Sequence, residues 1–351
     1  MFFRKQNSIL GIDVGTSSIK VVELTKKGQG IELTNYVSYY RMRQRQTFPF
    51  QTDSFSFFEE DVASKLKESL DAAGISTKNA NFALPGFCGF FTIIELPQME
   101  ASEIREAVKY QSYKYIPMPL QEIEIDYEVI EGEWQNNNLI KVLVVAIPKE
   151  TIQKYQNVAT LAGLNIKMLE IESFSDARAI LKGQKEPAII VNIGDRATNI
   201  VVVDGGNVVV SDSLDFAGFH ITKSLSDALN ISFQRADEIR KTRGINKEIG
   251  GLVSVPIFSV IDKIIFGVQK AISAYLSKNP RCQIQRIILS GGIANTPGLC
   301  DYFTSKTNIK TEIGRPFDGI IYNPALQKFI DEIGPSYSVA VGVALREFME
   351  K

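Results

Sequence analysis

The sequence predicts an α/β fold of two similar halves facing each other, with a smaller subdomain inserted into the first. Three observations carry this. First, an apolar run over Ile9–Ile12 reaches Asp13, a turn containing Gly15, Thr16, Ser17 and Ser18 follows, and a second apolar run leaves it over Ile19–Leu24. Two β-branched-rich runs about a short Gly/Ser segment read as a hairpin. Second, the design recurs: Ala188–Val191 leads into Asn192-Ile193-Gly194-Asp195-Arg196-Ala197-Thr198, and Asn199–Val203 leads out. Overlaid, Asn192 falls on Asp13 and Gly194 on Gly15, which argues against a chance pair of valine-rich hairpins. Third, residues 87–168 read as β-α-β-β-α with turn signals at both ends, as expected of an inserted unit.

The elements follow in order. Strands are expected at Ile9–Asp13, Ile19–Thr25 and Ile31–Tyr39, then a polar loop over 41–56. Val62, Leu66 and Leu70 recur every four residues on a helix that Gly74 closes. Asn81–Leu84 is a strand ended by Pro85-Gly86, and Phe90–Leu96 is another. A helix spans Ser102–Tyr113, with Ser102 as its N-cap, and Pro117 and Pro119 stop it. Ile123–Ile130 alternates as a half-wet strand, 131–138 is a polar hairpin tip, Lys141–Ile147 returns, and Pro148–Gly163 is helical. In the second half, Gly205-Gly206-Asn207 turns into a third strand, Val208–Ser211. Helices follow at Ile221–Leu229 and Ser232–Arg243, the latter capped by Ser232 and stopped by Gly244. A long apolar helix covers Pro256–Tyr275, and Ile284–Leu289 is a buried strand delivering Ser290-Gly291-Gly292. Another helix begins within Ile293–Phe303, and Ser338–Met349 is a terminal helix whose Gly342, Ala340 and Ala344 allow close packing.

Composition bounds the rest. At 351 residues, two domains are the default. The chain is 44% hydrophobic and 23% charged with a formal net charge of −1, so no global field points at nucleic acid or an anionic membrane. No apolar run nears the roughly 18 residues of a membrane span, and Met1–Asn7 lacks a signal-peptide core, so a cytosolic location is expected. Cys88, Cys282 and Cys300 are odd in number and far apart, which fits reduced thiols. His220 is the sole histidine, which excludes a multi-histidine metal site.

The first turn has phosphate chemistry. Gly15 admits close backbone approach, and successive N–H groups in a turn can cup an anion. Thr16, Ser17 and Ser18 add hydroxyl donors and Lys20 a cation. Asp13 would repel a phosphate unless Mg²⁺ lies between them, with water in its shell. A plain surface hairpin with a polar turn fits the stretch equally well.

Three glycine-bearing turns now stand in order: Asp13-Val14-Gly15-Thr16, Asn192-Ile193-Gly194, and Leu289-Ser290-Gly291-Gly292. This order resembles the phosphate-one, phosphate-two and adenosine loops of the actin-like ATPase superfamily. Several stretches narrow the likeness: Gly11–Lys20 with Glu23-Leu24, Ala83-Leu84-Pro85-Gly86, Glu95-Leu96-Pro97, Tyr115-Ile116-Pro117, Asp126-Tyr127 and Ala340–Arg346. Together they resemble the PilM family of cytoplasmic actin-like proteins of type IV pilus assembly, nearly end to end. The resemblance implies two ribonuclease-H-like domains around a nucleotide cleft, with an inserted subdomain of the kind found in the division protein FtsA. On that basis the first domain is expected to comprise 1–86, 169–185 and 335–351, the insert 87–168, and the second domain 186–334, with a helical part over 218–280. The resemblance assigns Asp13 to the Mg²⁺ shell, through water. It assigns Gly15, Thr16, Ser17 and Lys20 to the phosphates of ATP, with Gly194 and Thr198 cupping them from the opposite half. Gly291, Gly292 and Asn295 would line the adenosine pocket, and Asp237 with Arg240 would hold ribose or adenine. The last two, three apart on one helix face, equally fit an ordinary surface ion pair. Glu172 falls near the attacking water, and Asn192 opens the phosphate-two loop.

Two departures bear on activity. Relatives usually begin the phosphate-two loop with aspartate, whereas an amide at Asn192 can neither act as a base nor bring charge to Mg²⁺. ATP binding with weak or absent hydrolysis is therefore expected. Ala217-Gly218 replaces a frequent glycine pair, which predicts a shifted loop there and a structural His220. The implied partner is the cytoplasmic N-terminal peptide of PilN, docked between the first domain and the insert, where Phe82, Leu84, Tyr113, Tyr115 and Ile116 are core or groove residues. The inner-membrane pilus platform and its motor ATPases are implied around it, with a location peripheral to the inner membrane, no nucleic acid and no direct membrane anchor. Self-association stays open. The alternative is a hydrolytic or filament-forming FtsA-like ATPase, against which stands the lack of a tether helix after Arg346. A small-molecule kinase would need a carboxylate base beside a substrate pocket.

Overall fold

The structure is a computed structural model that describes residues 8–40, 59–112, 114–116, 118–130, 139–245 and 251–349. The predicted loop over 41–56, the tip over 131–138 and Tyr113 lie outside them. Two five-stranded sheets of one topology form the halves. The first runs β3 (Gly30–Tyr40), β2 (Ser18–Lys27), β1 (Ser8–Val14), β4 (Asn79–Leu84), β8 (Asn165–Ile171). The second runs β11 (Asn207–Leu214), β10 (Thr198–Asp204), β9 (Ala188–Ile193), β12 (Arg286–Ser290), β13 (Thr311–Ile313). Each is an antiparallel meander extended by two parallel strands. The central strands are buried on both faces, which explains their continuous apolar runs.

The insert is a three-stranded sheet, β5 (Phe90–Pro97), β7 (Leu139–Pro148) and β6 (Ile123–Ile130), packed on α2 (Ala101–Ser112). The α2 helix starts one residue before the predicted Ser102 cap, and Glu103 instead accepts the Glu100 N–H at 3.0 Å. Packing redraws two boundaries. Tyr155, Val158 and Ala159 of α3 (Lys149–Leu161) share a core with α1 (Glu59–Ala72) and β1, so the insert's own packing ends near Pro148 instead of 168. Phe317, Ile320 and Ile330 join Ile9, Val22 and Leu24 in another core, so this stretch packs with the first half although it precedes 335. Its Ile321 N–H donates to the Ile31 carbonyl at 2.8 Å.

Two helices cross between the halves. α4 (Glu172–Leu181) follows the last strand of the first sheet, yet buries Ala177 and Leu181 against Ile190, Val201 and Ile288 of the second. α10 (Ser338–Leu345), preceded by α9 (Gln327–Ile333), packs back on the first sheet, with Ala340, Val341 and Ala344 against Ile9 and Val22. The crossing is tight: a Cβ on Gly342 would stand 1.7 Å from the Ser175 carbonyl oxygen, and one on Gly11 would stand 2.0 Å from that of Ala340. Carbonyls near the α10 C-terminus are satisfied by side chains: Arg178 Nη1 donates to Gly342 O at 2.8 Å and Asn81 Nδ2 to Val343 O at 3.0 Å. Arg178 is itself paired with Glu170 at 2.5 Å. On the far side of the second sheet lie α5 (Gly218–Leu229), α6 (Phe233–Arg243) and α7 (Gly251–Lys278), with α8 (Leu299–Thr307) after β12. Ser232 caps α6 as predicted, accepting the Arg235 N–H, and Gly244 ends it at φ +61°.

Candidate functional site

The two hairpin turns are built alike. In the first, Gly15 N–H donates to Ser18 O at 2.9 Å; in the second, Gly194 N–H donates to Ala197 O at 3.0 Å. The glycine amides thus close the turns, which leaves hydroxyls and the neighbouring amides to face a ligand. Asp13 and Lys20 are register partners across β1 and β2, and their charges stand 3.5 Å apart. Both turns line one cavity of about 1060 Å³.

Of the predicted residues, Asp13, Gly15, Thr16, Ser17, Lys20, Glu172, Asn192, Gly194, Asp237, Arg240, Gly291, Gly292 and Asn295 all lie on its wall. Thr198 does not. It is fully buried, and its hydroxyl donates to Phe216 O at 2.6 Å. Its neighbour Asn199 takes the wall position, because successive strand residues face opposite ways.

Several wall residues are already committed. Arg240, 4% exposed, donates to Asp237 at 2.7 Å and to Thr296 at 3.1 Å, and Lys241 also pairs with Asp237. The pair is therefore half-buried and tied to the third turn, not a free surface pair. Asn295 donates to the carbonyls of Asp331 and Glu332 at 3.1 and 2.5 Å, so it anchors the third turn to α9. Gly291 takes φ +84°, and a Cβ there would meet Asn192 Oδ1 at 2.6 Å. Asn192 Nδ2 donates to Asp176, a buried acid the sequence reading did not select. Its signal was present: Glu172 and Asp176 lie four apart on one helix face.

Glu172 joins three parts of the molecule. Its Oε1 accepts the Gly86 N–H at 2.6 Å, at the entrance to the insert, and Asn199 Nδ2 at 2.9 Å, in the second half. Burial, then the charge of Asp13, pushes its pKa up to about 7. At neutral pH it can give or take a proton.

The loop at Ala217 corrects an expectation. Ala217 is extended (φ −158°, ψ −166°), a conformation open to any residue, so the missing glycine costs nothing. His220 is off the cavity wall, and its Nδ1 accepts the Ala217 N–H at 3.3 Å. Burial, then Arg196, lowers its pKa, in keeping with a neutral structural ring. Of the core-or-groove residues, Phe82, Leu84 and Ile116 are core, at 0%, 0% and 6% exposure. Tyr115 is 50% exposed and Tyr110 71%.

Among the described residues no group of three or more His, Cys, Asp or Glu side chains could hold a metal alone. Mg²⁺ at Asp13 would need phosphate and water for its other ligands, and the hydroxyl-rich turn beside Asp13 suits that arrangement. No helix among the described residues is long and apolar enough to cross a membrane.

Comparison with known proteins places this architecture. The chain is 21% identical to the cell division protein FtsA of Staphylococcus epidermidis, over 95% of this chain and 79% of that protein. It superposes on the PilM-PilN type IV pilus biogenesis complex with a TM-score of 0.81 at 22% identity, covering 97% of this chain and 99% of that one. It also superposes on MreB5 of Spiroplasma citri bound to ADP, with a TM-score of 0.53 at 15% identity over 97% and 96%. The fold is therefore actin-like. The family model of the type IV pilus assembly protein PilM matches residues 11–348, so the chain belongs to that family.

Proposed function

We propose that the chain is a nucleotide-binding scaffold of a type IV pilus assembly platform. On this reading it takes Mg²⁺-ATP in the cleft and docks the cytoplasmic N-terminal peptide of a PilN-type partner. The observation that carries the reading is the pair of like-built turns facing one cavity of about 1060 Å³, beside Lys20 on one wall and Arg240 on another. Thr16 and Ser17 offer hydroxyls to the phosphates, and Lys20 offers charge. Gly291 and Gly292 leave room for the base, and Asp237 offers an acceptor to a ribose hydroxyl. Mg²⁺, when bound, neutralises phosphate charge; Asp13 would hold it through water. MreB5, of the same fold, is a protein with ADP bound. The PilM-PilN complex pairs a relative with the proposed partner. The chain would then work at the cytoplasmic face of the inner membrane, held there by its partner.

Calorimetric titration with ATP tests this. Binding should need Mg²⁺ and weaken at least roughly tenfold in Asp13→Ala, the loss of one charged contact. Equal affinity with and without Mg²⁺, or in the variant, contradicts the role of Asp13. No binding at all contradicts the nucleotide reading.

A second reading, hydrolysis, is favoured by Glu172, a half-buried carboxyl on the wall with a pKa of about 7. Phosphate release well above a Lys20→Ala control would support it, and equal release from both would remove it.

A further inference from the structure

One buried carboxylate is unused by the binding scheme above. Asp176 lies one turn after Glu172 in α4 and is 2% exposed. Its Oδ2 accepts from Asn192 Nδ2 at 3.1 Å and from Ser290 Oγ at 3.0 Å. Asn192 and Ser290 are register partners in the parallel ladder of β9 and β12, and each is the base of a glycine turn. A single carboxylate thus pins the second and third turns to the helix that joins the halves. Asn192 lines the cavity; Asp176 does not.

This contact dictates the residue type at 192. The amide nitrogen donates, whereas a carboxylate in its place could only accept. Two carboxylates at that separation, one of them buried, cannot both stay ionised without cost. The pair therefore keeps its acid behind the wall and presents an amide on it. We propose that Asp176 is the positioning residue of the cleft: it locks the second and third turns to α4 and, by selecting an amide at Asn192, withholds a carboxylate from the wall. The second clause rests on the nucleotide reading; the first does not.

Exchanging the two residues should keep the hydrogen bond and move the carboxylate onto the wall. There it would take a proton from water as the water oxygen bonds to the terminal phosphorus and the bond from that phosphorus to the bridging oxygen breaks. ADP and inorganic phosphate leave.

The test uses the full chain, the single variant Asn192→Asp, and the exchange Asn192→Asp with Asp176→Asn. Without nucleotide at pH 7.5, the single variant should melt roughly 5 °C or more below wild type, as an unpaired buried charge requires. Its deficit should shrink as pH falls to 5.5, because the closely spaced acids then share a proton. Asp13 and Glu172 are the other charged groups bearing on the pair, and both remain in all three proteins. The exchange should recover most of the lost melting temperature and, with Mg²⁺-ATP, release phosphate at least roughly tenfold faster than wild type. A single variant as stable as wild type across that range, or an exchange no more stable than the single variant, overturns the lock. An exchange that binds ATP like wild type but releases phosphate no faster overturns the withheld carboxylate. Failure of wild type to bind ATP overturns the nucleotide reading and the second clause with it, while the melts still decide the lock.

Discussion

Glu172 is the residue at which the first half, the second half and the insert meet, through one carboxylate oxygen. Its environment has a measurable consequence. Burial and then Asp13 raise its pKa from 4.5 to about 7 on folding. A raised acid favours the folded state fully only below its unfolded pKa, and that contribution is lost as pH rises through the folded value. Glutamine at this position can accept the same two hydrogen bonds without ionising. Glu172→Gln should therefore stabilise the nucleotide-free protein by roughly 2–3 kcal/mol at pH 8, with the gain vanishing near pH 4. Thermal melts across that range check it, and a difference independent of pH would mean that Glu172 titrates as an ordinary carboxyl. The same residue shows what the sequence could reveal. Its position was legible from the resemblance, but its partners were not, because Gly86 and Asn199 lie 86 and 27 residues away. The resemblance pointed to Thr198, yet its neighbour Asn199 faces the cavity. Only the strand's phase, fixed by tertiary packing, shows which of the two faces the cavity.

At the scale of elements, the hairpins and the third turn were legible because unbroken apolar runs end abruptly at glycine-bearing polar turns, and the terminal helix because small apolar residues run through it. The domain boundaries were less so, since α3 is an ordinary amphipathic helix and nothing local says which sheet will bury Tyr155. Close packing of α10 was readable from Gly342, Ala340 and Ala344, but not its contact with α4. That contact yields a prediction. A side chain at Gly342 must displace the Ser175 backbone, not a flexible tip. Gly342→Val should therefore destabilise by roughly 3 kcal/mol or more. At Gly292, by contrast, a Cβ meets nothing within 4 Å and needs no left-handed φ, although the residue lines the cavity. Gly292→Ala should leave the melting temperature within about 1 °C of wild type, while any loss of ATP affinity reports the ligand's approach. Melting curves of the two variants side by side separate a structural glycine from a site glycine; similar losses would deny the distinction.

Over the whole molecule, the two sheets are linked by a pair of crossing helices, and the insert leaves the first half through Gly86 and the 3₁₀ turn Gly86–Cys88. That turn's first amide is held by Glu172, while the Phe91 ring at the base of the insert stacks edge-on against Phe174 of α4, with centroids 5.1 Å apart. A ligand that shifts Asn199 relative to Glu172 would carry Gly86 with it, because one carboxylate oxygen holds both. The cleft and the base of the insert are thus mechanically contiguous, so the two proposed ligands should be coupled. Coupling of binding free energies is reciprocal. If Mg²⁺-ATP tightens the PilN-type N-terminal peptide by some factor, the peptide must tighten ATP by the same factor, and typical couplings are roughly 5- to 150-fold. Glu172→Ala should reduce that factor towards one while each ligand still binds alone, because the deleted carboxylate is the shared link and not the main contact of either. Calorimetry of each ligand in the absence and saturating presence of the other, for wild type and Glu172→Ala, measures all the terms. Equal peptide affinity with and without Mg²⁺-ATP in wild type would show that the insert does not sense the cleft. A coupling unchanged in the variant would route it elsewhere, with the Phe91–Phe174 contact as the remaining connection described between α4 and the insert.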